Sequence, residues 1–298
     1  MSDPADTPVF LVTVLYNGHG CVGAFAESLA AQTRRDWRLI AVDNASADGG
    51  AALLSAAADP RIGVLRNARN TGFARAANQG IRVALAAGAE FVVLLNNDTV
   101  LPADFLRHFL AVRATLHADV LVPRIMHLHR PGSAWYAGGH LEHGWIFRNI
   151  HEAFDPADTR SVRTVDFASA CCLGISRAAL RRVGLFDESF FVYWEDADFC
   201  LRLTQQRIAI HYAHDVVMFH EGAHATGGEF GARFNRRYFR SYVQVLRKHF
   251  GLGVALRTVG RVALKELGRP HKKWRQLSAM LTAMARGLAA PLRPPVRL

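Results

Sequence analysis

The segment Phe91 to Val100, FVVLLNNDTV, constrains this chain more than any other, because an unbroken apolar run ends abruptly in Asn96, Asn97 and Asp98. A buried strand that delivers a carboxylate and two amides at its carboxyl end sets oxygen ligands where open α/β sheets bind their guests. A divalent metal and a diphosphate suit such a set. The same residues after a strand also describe an ordinary turn that satisfies its own backbone. Three further motifs, at ordered intervals, ask for the same ligand and tip the balance.

Those motifs sit in a repeating alternation. Pro8 to Leu15 is a short β-branched strand closed by Tyr16-Asn17-Gly18, Cys21 to Gln32 has helical spacing, and Trp37 to Val42 is a strand that stops at Asp43-Asn44. Ala51 to Ala58 then reads as helix, Gly63 to Leu65 as strand, Thr71 to Ala87 as helix and Phe91 to Leu95 as the buried strand. Such alternation implies right-handed crossovers and a largely parallel sheet, Rossmann-like and flanked by helices, so Asn17, Asp43, Arg66 and Asp98 are expected on one rim. Pro102 to His117 reads as helix, Val120 to Pro123 as strand, and Met126 to Thr164 as a variable insertion or antiparallel pieces. Val165 to Ser176 reads as a strand, Arg177 to Val183 as a helix ending at Gly184, Ala197 to Gln206 as a helix opened by Glu195-Asp196, and His211 to Met218 as a last strand.

Length and composition narrow the class. A chain of 298 residues, half of them hydrophobic, buries a full core. The four cysteines, Cys21, Cys171, Cys172 and Cys200, form no CxxC pair and read as reduced core residues of a cytoplasmic protein. The N-terminus carries acids where a secretory signal carries positive charge. The longest apolar segment, Val83 to Leu95, is broken by Gly88 and Glu90 and falls short of the roughly 20 residues of a membrane span. Net charge is +11, and the excess sits at the end: from Arg233 onward there are 16 Lys and Arg against one acid, Glu266. The expected organisation is therefore a domain over 1–228, with halves 1–100 and 101–228, and a basic helical extension over 229–298 that ends in a frayed PLRPPVRL.

The chemistry concentrates at strand ends. Asp43, in VDNASADG, can accept hydrogen bonds from a base or ribose, or cap the next helix. Gly72, in RNARNTGF, permits close backbone approach at a helix N-terminus that favours phosphate. In GLFDESFFVYWEDADFCLR, aromatics surround Glu195, Asp196 and Asp198, and apolar neighbours with like charges raise a carboxylate pKa as a general base requires. His220 follows the last strand, where an imidazole completes a metal site with Asp98 or serves as a hydrogen-bonded structural residue.

Taken in order, VTVLYNG, VDNASADG, RNTGFARAANQGI, LLNNDT, GLFDESFFVYWEDADFCLR and FHEGA resemble the inverting family 2 glycosyltransferases of GT-A fold, and most closely the rhamnosyltransferase-type branch that builds bacterial surface polysaccharides. The resemblance implies that Asp43 contacts the nucleotide base, that Tyr16 and Asn17 line the nucleotide floor, and that Asn70 and Gly72 lie beside the ribose and diphosphate. It further assigns Asn78, Asn96, Asn97 and Trp194 to the nucleotide-sugar site, Asp98 and His220 to a Mg²⁺ or Mn²⁺, Asp196 to the catalytic base and Glu195 to its acidic partner. Where the family often has DxD, this chain has Asn96, so Asp98 alone supplies a carboxylate.

The expected reaction moves a sugar, rhamnose for preference, from a dTDP- or UDP-linked donor to a hydroxyl of a glycan or lipid-linked acceptor. A glycosidase has no use for nucleotide-binding loops, and adjacent carboxylates cannot flank a sugar at roughly 5–9.5 Å. A sugar nucleotidyltransferase would want cations after strand one, and Tyr16 to Gly20 has none. A nucleic-acid-binding protein is the different-class rival, but no nucleic-acid module appears. For the basic tail an anionic membrane surface, met by Trp274, Leu277, Leu281 and Leu288, stands against an amphipathic helix packed on the catalytic domain.

Overall fold

The computed structural model describes residues 8–130, 132–142, 146–149, 162–222, 232–267 and 274–298. Its first hundred residues alternate β1 (Val9–Leu15), α1 (His19–Ala30), β2 (Trp37–Asp43), α2 (Gly50–Ala56), β3 (Ile62–Arg66), α3 (Phe73–Ala86) and β4 (Phe91–Leu95). β-branched and leucine side chains make β1 and β4 almost wholly buried, and all pairings among these four strands are parallel. Leu15, Asp43 and Arg66 share one rung, as the alternation predicts. Helix α3 reaches the sheet through small residues: Ala74, Ala77 and Ala84 are buried, and a Cβ on Gly80 would run into Val12.

The second half extends the same sheet. It comprises β5 (Thr99–Val100), α4 (Phe105–Leu116), β6 (Val120–His127), β7 (Ala134–Tyr136), β8 (Gly139–Glu142), β9 (Ile146–Asn149), β10 (Val162–Val165), β11 (Cys172–Ser176), α5 (Arg177–Val183), α6 (Glu195–Gln205) and β12 (Ile210–His220). The order across the sheet is β10-β12-β6-β11-β4-β1-β2-β3. β11 runs antiparallel to both β4 and β6, while β12 is parallel to β6. Hence β1, β2, β3, β4, β6 and β12 all point one way, and their carboxyl ends form a single edge.

One sequence expectation changes here. The run Val165 to Ser176 is not a single strand: Val165 ends β10, residues 166–171 carry the chain past β12 and β6, and only Cys172–Ser176 form β11 beside β4. An apolar run cannot reveal that its two ends pair with different neighbours. The expected antiparallel pieces within Met126 to Thr164 are β7, β8 and β9; residues 150–161 lie outside the described residues, as does the expected boundary at 228/229.

The tail folds into α7 (Ala232–Phe250), α8 (Leu252–Leu267) and α9 (Trp274–Ala289). Val243, Leu246, Ala255, Met280 and Met284 form a buried cluster of their own, with Leu281 and Leu288 packed against it. Burial of side chains of this size is worth roughly 1.5–3 kcal/mol each, more than exposed ion pairs supply. The α9 stripe expected at a membrane therefore faces α7 and α8; the side chains of Trp274 and Leu277 lie outside the described residues.

Helix α7 is bolted to the sheet domain. Lys248 Nζ lies 2.6 Å from Asp187 and 2.7 Å from Asp198, and His249 Nε2 lies 2.8 Å from Asp198. The chain end is not frayed as expected, since Leu185 N donates to Val296 O at 2.8 Å. Gly184, at φ +78°, leaves room for that closing segment, because a Cβ there would press on the Val296 carbonyl.

Candidate active site

The common edge of the strands opens into a cavity of about 360 Å³. Tyr16 enters it from the end of β1, Asn70 and Gly72 from the loop before α3, and Asn96, Asn97 and Asp98 from the end of β4. Because β11 starts where β4 stops, with Cys172 opposite Leu95, the preceding Ser169, Ala170 and Cys171 form the facing wall. A Cβ on Gly18 would meet the Asn97 amide, so a larger residue there would push that side chain out of its place. Gly72, at φ +88°, is held for a related reason: a Cβ would strike the Phe191 backbone.

Asp98 and His220 meet at one end of this cavity. The two-residue strand β5 pairs antiparallel with β12, Thr99 opposite His220, and Glu221 N donates to Asp98 O at 2.9 Å. This brings Asp98 Oδ2 within 3.2 Å of His220 Nε2. The contact is not an in-line hydrogen bond, for Asp98 Oδ1 and both His220 ring nitrogens are buried without a hydrogen-bond partner. Burial works against a charged His220 ring, but Cys171 and Asp98 beside it more than offset this and raise its pKa.

An unsatisfied carboxylate oxygen and imidazole nitrogen fit a divalent cation by donor chemistry. Among the described residues, no cluster of three or more His, Cys, Asp or Glu could hold a metal. Asp98 and His220 would supply two ligands, and substrate phosphates and water would complete the shell.

Glu195 and Asp196 stand at the other side, on the first turn of α6. The two residues before them, Tyr193 and Trp194, both have φ of 69°. Non-glycine residues in that left-handed region carry strain and recur at functional sites. Asp196 is half-buried; its Oδ1 accepts from Ala197 N at 2.8 Å and its Oδ2 from Ala170 N at 3.4 Å. Burial outweighs those hydrogen bonds and raises its pKa to about 6. Glu195 is raised further above the carboxylate range, first by burial and then by the like charge of Asp196. Burial thus favours the protonated form of both carboxyls, and the pair holds its protons more tightly than free carboxylates do.

The third acid of the cluster has a different task. Burial would raise Asp198, yet His249, Arg202 and Lys248 together pull it well below the ordinary range. It is a structural anion joining α6 to α7.

Asp196 also belongs to a second, aromatic concavity of about 300 Å³, lined by Trp135, Phe167, Tyr193, Trp194 and Tyr238. Trp194 is braced from the tail by Tyr238, edge-on at 5.3 Å, and Tyr242, tilted at 4.5 Å.

Of the residues singled out in the sequence, Tyr16, Asn70, Gly72, Asn96, Asn97, Asp98, Glu195, Asp196 and His220 line the main cavity, and Trp194 lines the second. Three do neither. Asn78 is fully buried, donating to Phe186 O at 2.9 Å and Glu188 Oε1 at 3.1 Å and accepting from Phe186 N at 3.0 Å, so its amide is consumed in tying α3 to the loop before α6. Asn17 accepts from Ala47 N at 2.9 Å and clamps two loops together. Asp43 accepts from Ser46 N at 2.9 Å, a local turn.

Its neighbour Asn44, at the end of the same strand, reaches further. It bonds Asn70, Thr71 and the Gly72 carbonyl and itself lines the cavity. Trp135, Ser169, Cys171 and Arg237 also line it and carry no local motif; the one available hint for Asn44 was its place directly after Asp43 at a strand end.

The profile of Glycosyl transferase family 2 matches residues 10–184. The low-salt glycan biosynthesis hexosyltransferase Agl10 of Haloferax volcanii is 31% identical over 47% of this chain and 46% of its own length. The dTDP-rhamnosyl transferase RfbF of Shigella flexneri is 26% identical over 51% of this chain and 49% of its own. The chain thus spans about half the length of these two relatives. With the N-acetylglucosaminyl-diphospho-decaprenol L-rhamnosyltransferase of Mycobacterium tuberculosis it shares 25% identity over 81% of this chain and 85% of the relative.

Among solved structures, GalNAc-T7 with UDP, GalNAc and Mn²⁺ superposes with a TM-score of 0.67 at 15% identity, over 95% of this chain and 55% of that one. S. aureus TarS 1–349 in complex with UDP-GlcNAc gives 0.59 at 15% identity, over 95% and 73%. At such identity these likenesses establish the fold, which is GT-A.

Proposed function

For a chain that belongs to glycosyl transferase family 2, we propose an inverting sugar transfer from a nucleoside diphosphate donor to a hydroxyl of a lipid-linked glycan, in surface polysaccharide synthesis. The donor is dTDP-rhamnose by preference, with UDP-sugars next, in keeping with what the Shigella and mycobacterial relatives are named for. The catalytic domain covers 1–228 and the helical extension 229–298.

The observation that carries this reading is that Asp196 lines both concavities at once. A donor in the first and an acceptor in the second would meet at its carboxylate. Asp196 takes the acceptor hydroxyl proton while the acceptor oxygen bonds to the anomeric carbon and the bond from that carbon to the diphosphate oxygen breaks on the opposite side, inverting the centre. Glu195, kept neutral by burial, leaves the negative charge on Asp196 alone. Asp98 and His220 would hold Mg²⁺ or Mn²⁺, whose chemistry when bound is neutralisation of charge on the leaving diphosphate. The aromatic wall around Trp194 suits the apolar face of an acceptor sugar and keeps water from the anomeric carbon.

The test is a thermal-shift panel of dTDP, UDP, GDP and their sugars, with and without each metal. A donor nucleotide at a hundred times its Kd stabilises by about 2.7 kcal/mol. Absence of stabilisation by every nucleoside diphosphate would sink the reading.

A lipid-linked acceptor brings the enzyme to a membrane surface. None of the helices in the described residues is long and apolar enough to cross one, so contact would be peripheral. Helix α8 favours it: Leu252, Leu256 and Leu264 are 54%, 50% and 72% exposed, one to two turns apart, beside exposed Arg257 and Arg261. An apolar row flanked by arginines suits an anionic bilayer. Flotation with phosphatidylglycerol vesicles should weaken in Leu256→Ser/Leu264→Ser, and equal flotation would remove this part of the reading.

A further inference from the structure

A third concavity, about 470 Å³, lies between α7 and α9, outside the cavities already described. Arg236, Arg237 and Arg240 line it from α7, and Ser278, Thr282 and Arg286 from α9. The spacing is that of helix faces: 236 and 240 are one turn apart, as are 278, 282 and 286. Gly287 allows the two rows to close on each other, since a Cβ there would collide with the Arg240 carbonyl and Val243.

The charge in this groove meets no carboxylate among the described residues. None of its four arginines forms an ion pair with a carboxylate among the described residues, whereas Arg202 and Lys248 nearby are both paired with Asp198. Like charges one turn apart on a helix destabilise it by roughly 0.2–0.5 kcal/mol per pair. Clustered guanidinium groups with hydroxyls between them suit an anion of high charge density, and guanidinium forks match phosphate oxygens two at a time.

One residue connects the groove to catalysis. Arg237 lines both this groove and the donor cavity, with its guanidinium 4.3 Å over the Phe191 ring. Its neighbour Tyr238 lines the aromatic concavity beside Asp196. An anion in the groove therefore stands at the mouth of the reaction cleft.

We propose that the α7/α9 groove binds the diphosphate of the lipid-linked acceptor, so that the sugar beyond it reaches the aromatic concavity at Asp196. This rests on the glycosyltransferase reading and adds the acceptor's chemical class. A bilayer headgroup presents the same phosphate chemistry, but the groove is concave and its lining includes no exposed large apolar side chain, whereas the exposed leucines sit on α8.

The test is calorimetric titration of the full chain with geranyl diphosphate, geraniol and inorganic pyrophosphate, in the presence of saturating dTDP or UDP with Mg²⁺ so that the donor cavity is filled. Wild type should bind geranyl diphosphate and pyrophosphate but not geraniol. Arg240→Ala/Arg286→Ala, and independently Arg286→Glu, should weaken geranyl diphosphate by tenfold or more while flotation with phosphatidylglycerol vesicles stays unchanged. Geranyl diphosphate affinity within twofold of wild type in both variants overturns the proposal. A parallel loss of vesicle binding assigns the groove to membrane headgroups and overturns it too. Failure of the donor reading shows separately, as absence of stabilisation by dTDP and UDP in wild type.

Discussion

Asp98 Oδ2 and His220 Nε2 face each other at 3.2 Å although their strands lie on opposite sides of β6 and β11 in the sheet. The short pairing of Thr99 with His220 is what spans that gap. Two such ligands leave most of a metal's shell to the substrate, so metal affinity should depend on nucleotide. Mn²⁺ binding followed by electron paramagnetic resonance should be weak for the protein alone and strengthen at least tenfold with dTDP or UDP. His220→Ala should abolish that gain. Tight Mn²⁺ binding without nucleotide would contradict it.

Asp196 and Glu195 should respond unequally to neutralisation. Asp196→Asn is expected to lower turnover by roughly 10²–10⁴-fold with donor binding retained, the range for removal of a general base. Glu195→Gln, which keeps the volume of an acid whose neutral form burial favours, should lose far less. Equal losses in a radiolabelled transfer assay would reverse the assignment.

The pH profile follows from the Asp196 carboxyl, raised by burial to about 6. A base works only when deprotonated, so kcat/KM should rise through pH 6 and level off above it, with a limiting slope of one on the acid side. A profile flat from pH 5 to 8 would exclude Asp196 as the group that takes the proton.

Asp198→Asn should destabilise the protein by roughly 3–5 kcal/mol, because it strands buried Lys248, His249 and Arg202 without their anion. The folded-state pKa of Asp198 is depressed below its ordinary value, so its contribution is present above the unfolded pKa of about 3.9 and is lost as pH falls further. Urea melts at pH 7 and pH 3 should therefore show the gap between wild type and variant narrowing with acid. A constant gap would mean that the Asp198 carboxyl has the same pKa in the folded and unfolded states.

Gly72→Ala should cost roughly 1–2 kcal/mol for the left-handed backbone, and more for the collision with Phe191. Since Gly72 lines the donor cavity, dTDP and UDP affinity should fall with it, and differential scanning calorimetry beside nucleotide titration checks both. Unchanged stability would mean the Phe191 segment moves freely.

Much of the fold was legible because its information is local. The alternation of periodicities gave the βα units, strand-end chemistry pointed to Gly72, Asn96, Asn97 and Asp98, and the family resemblance added Tyr16 and Asn70; all six line the cavity. Asn17, Asp43 and Asn78, also named through the resemblance, lie outside that lining and bond neighbouring segments, since a polar residue at a strand end or on a buried helix face can serve the scaffold or a ligand. Only its partners distinguish the two cases. Arg237 and Trp135 were invisible because they enter the cavity from a tail helix and an edge strand that no local pattern links to it.

By itself, then, the chain's order of residues determined which strands form, where they stop and which chemical groups stand at their ends, because strand and turn preferences act over a few residues. Tertiary structure decided what each group does. Asp196 and Asp198 are two residues apart in one helix turn, yet one is left facing two cavities and the other is locked by Lys248 and His249 arriving from the tail. Burial and counter-charge set a carboxylate's proton affinity, and both come from segments distant in sequence.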